Sequence, residues 1–183
     1  MTQVERAPVQ VPTTPPPSRL HHFAYTTYDM ERTRAFYEEL IGMPLTQTWI
    51  ERADTGGGMR IYVHCFFSLA DGGALAFFEY AGEDPVEYAD PQPSFHVAMK
   101  VDAATQAAII ERLEAAGYPG IRVIDHGYCN SLYVHDPNGL RLEFTADHPD
   151  IEAIVARQAQ SCRDELRRWQ SGDHEPNNAL RPH

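Results

Sequence analysis

The sequence predicts an α+β fold in which one β-α-β-β-β unit is used twice, and an internal repeat is the main evidence. The alternating segments that begin at Leu20 and Ser94 are 74 residues apart, and His22 and His96 are each the third residue of their segment. In each copy an aspartate, a stretch of helical periodicity and a glycine follow, which is the pattern of a capped helix.

The first unit continues from its opening strand into a helix predicted at 30–41. This helix begins after Asp29 and ends at Gly42, which suits a left-handed C-cap. Glycine-rich turns divide the next stretch, which therefore predicts three strands, at 45–51, 59–69 and 74–80.

The second unit repeats this order, with a helix predicted at 103–116 between Asp102 and Gly117. Its strands are predicted at 121–125, 131–135 and 140–145. A further helix is predicted at 150–170, after Pro149. The apolar stripe of this helix has helical spacing, and we expect it to pack on the sheets or on another subunit.

Composition shifts predict the domain organisation. The first 18 residues contain five prolines and are expected to form a flexible arm, and the polar C-terminus is expected to fray. The predicted parts are an arm at 1–18, one domain at 19–146 made of modules 19–90 and 91–146, a helix at 147–171 and a flexible tail at 172–183.

The composition argues against several classes of protein. Of 183 residues 43% are hydrophobic and 22% charged, as in an ordinary soluble domain. A net charge of −11 disfavours binding to nucleic acid and to anionic membranes. No apolar run is long enough to span a bilayer, and we expect no secretory signal, because the first residues lack a basic stretch followed by an apolar one. Three cysteines without CxxC spacing suit a reducing cytoplasm, which is the predicted location.

Two histidines and one glutamate are the candidate metal ligands. His22 and His96 occupy equivalent places in the two units, and Glu143 lies in the otherwise apolar last strand of the second unit. A buried glutamate is costly unless it is paired or bound to a metal. Two imidazoles and one carboxylate leave coordination positions open for substrate and oxygen, and they suit Fe(II) or Mn(II).

Three segments also carry a family resemblance: HHFAY at 21–25, RAFYEELIGMPL at 34–45 and SLYVHDPNGLRLEF at 131–144. Together they resemble the vicinal oxygen chelate superfamily, which includes glyoxalases, fosfomycin and bleomycin resistance proteins, methylmalonyl-CoA epimerases and type I extradiol dioxygenases. The resemblance extends over about residues 20–146 and is strongest toward extradiol-dioxygenase-like members. It implies two modules paired in a partly open barrel, with His22, His96 and Glu143 as metal ligands.

The resemblance leaves the fourth ligand position open. Glyoxalase-type isomerases take this ligand from the last strand of the first unit. Matching the turn glycines Gly73 and Gly139 places Phe77 opposite Glu143, whereas matching the strand ends places Glu79 there. Phe77 at this position would leave three protein ligands, as in extradiol dioxygenases, and Glu79 would favour an isomerase.

Three further side chains are candidate catalytic residues. By resemblance, Tyr133 hydrogen-bonds the bound catecholate, and His126 on the preceding loop is a candidate base or proton donor. Extradiol enzymes of this family carry another acid–base histidine near the start of the module's last strand, where this chain has Gly72-Gly73-Ala74. His64, on the neighbouring predicted strand, is the candidate replacement.

The predicted function is therefore an extradiol-type ring-cleaving dioxygenase that acts on a small aromatic diol and uses Fe(II) in preference to Mn(II). The alternatives are a glyoxalase-like isomerase or lyase that uses Zn, Ni or Co as a Lewis acid, and a non-catalytic binding protein of the resistance type. We expect a homodimer or a higher homo-oligomer, with the helix that ends at Trp169 as the dimer surface. The resemblance leaves open whether the cleft forms within one chain or across a dimer.

Overall fold

The computed structural model describes residues 17–54, 56–83 and 94–182. The predicted arm at 1–18, except for its last two residues, and the predicted module boundary at 90–91 lie outside the described residues. The elements in chain order are β1 (His22–Thr26), α1 (Met30–Arg34) with a π-helical segment (Ala35–Ile41), β2 (Leu45–Asp54), β3 (Met59–Ser68), β4 (Ala74–Tyr80), β5 (Val97–Val101), α2 (Ala103–Ala115), β6 (Arg122–Asp125), β7 (Cys129–His135), β8 (Arg141–Asp147) and α3 (Ile151–Gln170).

The strands form two mixed sheets of identical order, β1-β4-β3-β2 and β5-β8-β7-β6. In each sheet the opening strand pairs in parallel with the last strand of its unit, and the other pairs are antiparallel. The predicted repeat of a β-α-β-β-β unit in an α+β fold is confirmed. The described strands form two open sheets and do not close into a barrel.

One face of each sheet packs into a core that the two units share. Phe77 of the first sheet and Phe144 of the second belong to the same buried cluster, together with Tyr37 of the π-helical segment. Polar contacts cross the same boundary, because Arg112 Nε donates to the carbonyl of Leu40 at 2.6 Å. Since strand residues alternate between faces, the opposite face of each sheet points away from this core.

The first helix is not the uniform α-helix that the periodicity predicts. Asp29 caps its start by accepting a hydrogen bond from the Arg32 amide at 2.9 Å, as expected. From Ala35 the chain is π-helical, and the amides of Gly42 and Met43 both donate to the carbonyl of Tyr37. Gly42 adopts a φ of 90°, which permits this tight ending.

The predicted C-terminal helix is present, but its apolar stripe is largely uncovered. Val155, Leu166 and Trp169 are 56%, 58% and 60% exposed, and Ile154 is the buried side chain of α3. The stripe therefore does not pack on the sheets within one chain, contrary to one of the two expectations. No described helix has both the length and the apolar character needed to cross a membrane.

The segment after α3 lies against the helix and against the turn between β6 and β7. Arg168 pairs with Asp173 at 2.9 Å, and Asn177 Nδ2 donates to Glu165 at 3.0 Å. Asn178 Nδ2 donates to the carbonyl of His126, also at 3.0 Å. The flexibility that we expect for this tail stays a prediction.

Candidate functional site

The strand register of the second sheet places the candidate residues in one row. Ala98 of β5 pairs with Glu143 of β8, which in turn pairs with Tyr133 of β7. Residues that pair across neighbouring strands share a face, and so do residues two apart on one strand. His96, two residues before Ala98, therefore joins Glu143 and Tyr133 on the face that points away from the core.

Four side chains are connected by hydrogen bonds on this face. His96 Nε2 lies 2.9 Å from Glu143 Oε2, and the Tyr133 hydroxyl donates to Glu143 Oε1 at 2.8 Å. His126 Nε2 lies 3.0 Å from the Tyr133 hydroxyl. The Tyr133 proton is directed at a carboxylate, which can only accept, so His126 is the donor in the last contact. The structure thus brings together four of the predicted site residues.

The surroundings of His96 fit a cation. Its Nδ1 lies 2.7 Å from the carbonyl oxygen of Ser94, which can only accept, so Nδ1 carries a proton. Nε2, which lies 2.9 Å from Glu143 Oε2, is then the nitrogen left to donate a proton to that carboxylate or to bind a metal ion beside it. A metal-binding histidine is oriented in this way, with its second nitrogen donating to a carbonyl. The His96–Glu143 pair thus has the donor set of half a metal site.

Burial and hydrogen bonding tune the two acidic groups of this network. Burial raises the pKa of Glu143, but hydrogen bonds from Ser131 and Tyr133 and the nearby His96 outweigh it, so that pKa lies below its usual value. Burial, followed by the contact with Glu143, raises the pKa of Tyr133 to about 12. Near neutral pH the carboxylate is therefore charged and the phenol keeps its proton.

His22 lies on the corresponding face of the first sheet, among aromatic rings. Its ring is 5.5 Å from that of Phe66 and 6.3 Å from that of His64. The His64 ring is stacked at 3.7 Å on Phe78, and its buried Nε2 has no hydrogen-bond partner. Burial, and then the proximity of His22, lowers the pKa of His64.

The three candidate ligands are not assembled within one chain. Among the described residues, no three His, Cys, Asp or Glu side chains are grouped so that they could hold a metal ion. His96 and Glu143 lie on the second sheet, whereas His22 lies on the first, and each of these faces points away from the shared core. The ligand set of His22, His96 and Glu143 therefore stays a prediction, with two of its members in contact.

The register places Ala76, rather than Phe77 or Glu79, at the position of the first sheet that is equivalent to Glu143. Ala24 pairs with Ala76 in the first sheet, as Ala98 pairs with Glu143 in the second. Phe77 is one residue further on, so its fully buried ring points into the core. The carboxylate of Glu79 accepts a hydrogen bond from the Met30 amide at 2.7 Å, at the start of α1.

Sequence reasoning missed three polar residues of the second sheet. Ser131 is fully buried two residues before Tyr133 and hydrogen-bonds Glu143. Arg122 pairs with Tyr133 from β6, and Arg141 lies two residues before Glu143. The rule that residues two apart share a strand face identifies Ser131 and Arg141 from the sequence, but Arg122 required the pairing of β6 with β7.

Comparisons with known proteins agree with this architecture. The family model described as "Glyoxalase/Bleomycin resistance protein/Dioxygenase superfamily" matches residues 19–144. A search of curated proteins found no match.

Solved structures of low sequence identity share the fold. A glyoxylase/bleomycin resistance protein/dioxygenase domain from Frankia sp. EAN1pec is 18% identical with a TM-score of 0.58, and the match covers 73% of this chain and 95% of that one. The fosfomycin resistance protein FosX from Listeria monocytogenes is 20% identical with a TM-score of 0.52, and the match covers 73% and 97%. A mutant of that protein, complexed with Mn(II) and 1S,2S-dihydroxypropylphosphonic acid, is 18% identical with a TM-score of 0.53 and coverage of 74% and 98%.

Proposed function

Because the chain belongs to the glyoxalase/bleomycin resistance protein/dioxygenase superfamily, we propose that it is a metal-dependent enzyme that cleaves the ring of a small aromatic diol, as extradiol-type dioxygenases do. One observation carries the proposal: His96, Glu143, Tyr133 and His126 form a continuous chain of contacts on one sheet face. This series of contacts connects two types of metal ligand, an imidazole and a carboxylate, to a phenol and a second imidazole that can bind and transfer protons.

The proposed ligands are His22, His96 and Glu143, and the proposed ion is Fe(II) ahead of Mn(II). Ala76 at the fourth position supports a set of three protein ligands, which leaves coordination positions open and suits oxygen-activating iron. The Mn(II) bound to the Listeria relative supports a divalent ion in this fold. When bound, Fe(II) would supply the centre at which the diol and dioxygen meet and exchange electrons.

We assign the third ligand, His22, to a second copy of the chain. Within one chain the two sheets share a core and turn their histidine-bearing faces away from it. A second copy can place its first sheet over the second sheet of the first copy, and two-fold symmetry then forms two such sites. This arrangement is the homodimer expected from the sequence, with the cleft between copies.

The remaining side chains have distinct roles in the proposed reaction. Tyr133, whose raised pKa keeps it protonated, donates a hydrogen bond and orients the Glu143 carboxylate. His126 donates to Tyr133, and an imidazole can return a proton to a product near neutral pH. His64, whose pKa is lowered by burial, is the proposed base on the side of His22.

The test is metal content per chain after anaerobic purification, followed by oxygen uptake with catechol and substituted catechols. We expect close to one iron per chain, loss of the iron in Glu143→Ala, and retention in the matched control Glu114→Ala, which changes an exposed glutamate of α2. Oxygen uptake with a ring-opened product would support the proposal. Stoichiometric zinc or nickel without oxygen uptake would overturn it in favour of an isomerase or lyase, and no metal under any loading condition would leave a binding protein.

A further inference from the structure

A cavity of about 530 Å³ lies beside His96 and Tyr133. Arg122, Arg141 and His135 contribute to its lining, and Ile124 provides an apolar wall. The lining contains no Asp or Glu among the described residues. It belongs to the same sheet face as the candidate metal ligands, so a molecule bound there is next to the proposed reaction centre.

The charge of this cavity is opposite to that of the whole chain. The chain has a net charge of −11, with 26 acidic and 15 Lys and Arg side chains. The Arg122 guanidinium on the cavity wall therefore places a positive charge inside an acidic protein. Low-dielectric walls concentrate the potential of such a charge, so the cavity attracts small anions that the rest of the surface repels.

Arg122 is available to a ligand. Among the described residues no carboxylate pairs with it, and its side chain belongs to an exposed position of β6. Arg141 already interacts with another residue, so Arg122 is the arginine of this lining that provides the donors. The planar guanidinium group matches the geometry of a carboxylate or phosphonate, to which it can donate two parallel hydrogen bonds.

The register sets the separation of this arginine from the candidate metal centre. Arg122 pairs with Tyr133 and Tyr133 pairs with Glu143, so the three lie in one row across β6, β7 and β8. Two strand spacings put the Cα atoms of Arg122 and Glu143 about 10 Å apart. A ligand that reaches from the carboxylate to the guanidinium is therefore about the size of one ring with a short acidic substituent.

We infer that this cavity binds an oxyanion group of the substrate, with Arg122 as the anchoring residue. Resting on the proposed function, this makes the substrate an aromatic diol that carries a carboxylate or phosphonate rather than a neutral catechol. The anion site itself requires neither a bound metal nor turnover. It can therefore be tested separately from the reaction.

The test uses the full chain after removal of metal, titrated calorimetrically with phenylphosphonate and with benzyl alcohol as the neutral probe. We expect phenylphosphonate to bind at least about tenfold more tightly, and Arg122→Gln to abolish that preference. Arg122→Lys keeps the positive charge but cannot donate two parallel hydrogen bonds, so this variant should retain part of the preference. The matched control is Arg163→Gln, which removes one positive charge from an exposed position of α3 and should leave binding unchanged.

Equal binding of the two probes, or equal loss in Arg122→Gln and Arg163→Gln, would overturn the anion site. So would binding that disappears at physiological salt, because a site with fixed donors is less screened than a diffuse surface charge. Unchanged thermal unfolding of Arg122→Gln excludes misfolding as the cause of a loss. If the protein binds no iron but keeps the preference for the anion, the proposed reaction is overturned and this inference stands. If it binds iron but shows no preference for the anion, this inference is overturned and the proposed reaction stands.

Discussion

Tyr133 is the side chain that connects the candidate metal half-site to an acid–base group. It donates to Glu143 at 2.8 Å and lies 3.0 Å from His126. Replacing Tyr133 with Phe removes the donor that orients the carboxylate, so we expect the affinity for the metal to fall about tenfold or more. Competition with a chromophoric chelator measures this loss.

The control for Tyr133→Phe is Tyr62→Phe. Tyr62 donates to Glu51 at 3.0 Å, so this change removes the same type of bond from the first sheet. Its metal affinity should equal that of the unchanged protein. If both variants bind metal equally well, the binding of metal by Glu143 does not depend on its hydrogen bond from Tyr133.

Asp136 stabilises the turn between β7 and β8 through four hydrogen bonds. It accepts from the amides of Asn138 and Leu140, both at 2.8 Å, from the Asn138 side chain at 3.1 Å and from the Tyr37 hydroxyl at 3.0 Å. Asp136→Asn cannot accept all four, so we expect a loss of about 1–3 kcal/mol in the free energy of unfolding, measured with urea. Glu114→Gln, at an exposed position, should change it little.

The same variant has a predictable dependence on pH. Burial raises the pKa of Asp136 despite the hydrogen bonds that lower it. The folded chain therefore holds this proton more tightly than the unfolded chain, and Asp136 adds most stability below the unfolded pKa and loses it as pH rises through the folded pKa. The destabilisation by Asp136→Asn should accordingly be larger at about pH 4 than at about pH 7. A difference that is constant or reversed would contradict the raised pKa.

Among the elements, the β6–β7 turn depends on a glycine. Gly127 has a φ of 82°, and a Cβ there would lie 2.3 Å from the backbone of Leu180. Gly127→Ala should therefore displace the tail that Asn178 holds on the carbonyl of His126. Limited proteolysis should cut residues 173–182 faster in this variant.

The control for Gly127→Ala is Gly82→Ala, because Gly82 has a φ of 74° and, among the residues that the structure describes, no heavy atom lies within 4 Å of the added Cβ. This change brings the same backbone strain without the clash. Equal tail cleavage in the two variants would show that contact with Leu180 does not hold the tail in place.

Most elements of the fold can be predicted from the sequence because capping residues, turn glycines and alternation are local signals. The position equivalent to Glu143 in the first sheet cannot be predicted in this way. It depends on the number of residues between the turn glycine and that position, and this number differs between the two units. Ala76 follows Gly73 by three residues, whereas Glu143 follows Gly139 by four. Matching the glycines is therefore wrong by one residue, and a slip of one moves every side chain to the other face of the strand.

At the scale of the whole molecule, the sequence predicts His22, His96 and Glu143 as one set but not how the two sheets are placed. Local patterns predict that each histidine opens a strand. The outward direction of the two faces follows instead from the shared core, in which residues distant in sequence pack together. The family model shows the superfamily, and the closeness to extradiol dioxygenases stays a prediction.

A site shared between copies predicts complementation by two defective chains. In a mixed dimer of His22→Ala and Glu143→Ala chains, one site combines the intact His22 of one copy with the intact His96 and Glu143 of the other. If pairing is random, the mixture should recover about a quarter of the unchanged protein's metal content, although each variant alone binds none.

The control mixture of His96→Ala and Glu143→Ala should recover nothing, because both changes lie in the same module and no site escapes both. Restoration only in the first mixture, measured as metal per chain after refolding together, would establish the shared site. No restoration in either mixture would overturn the shared site.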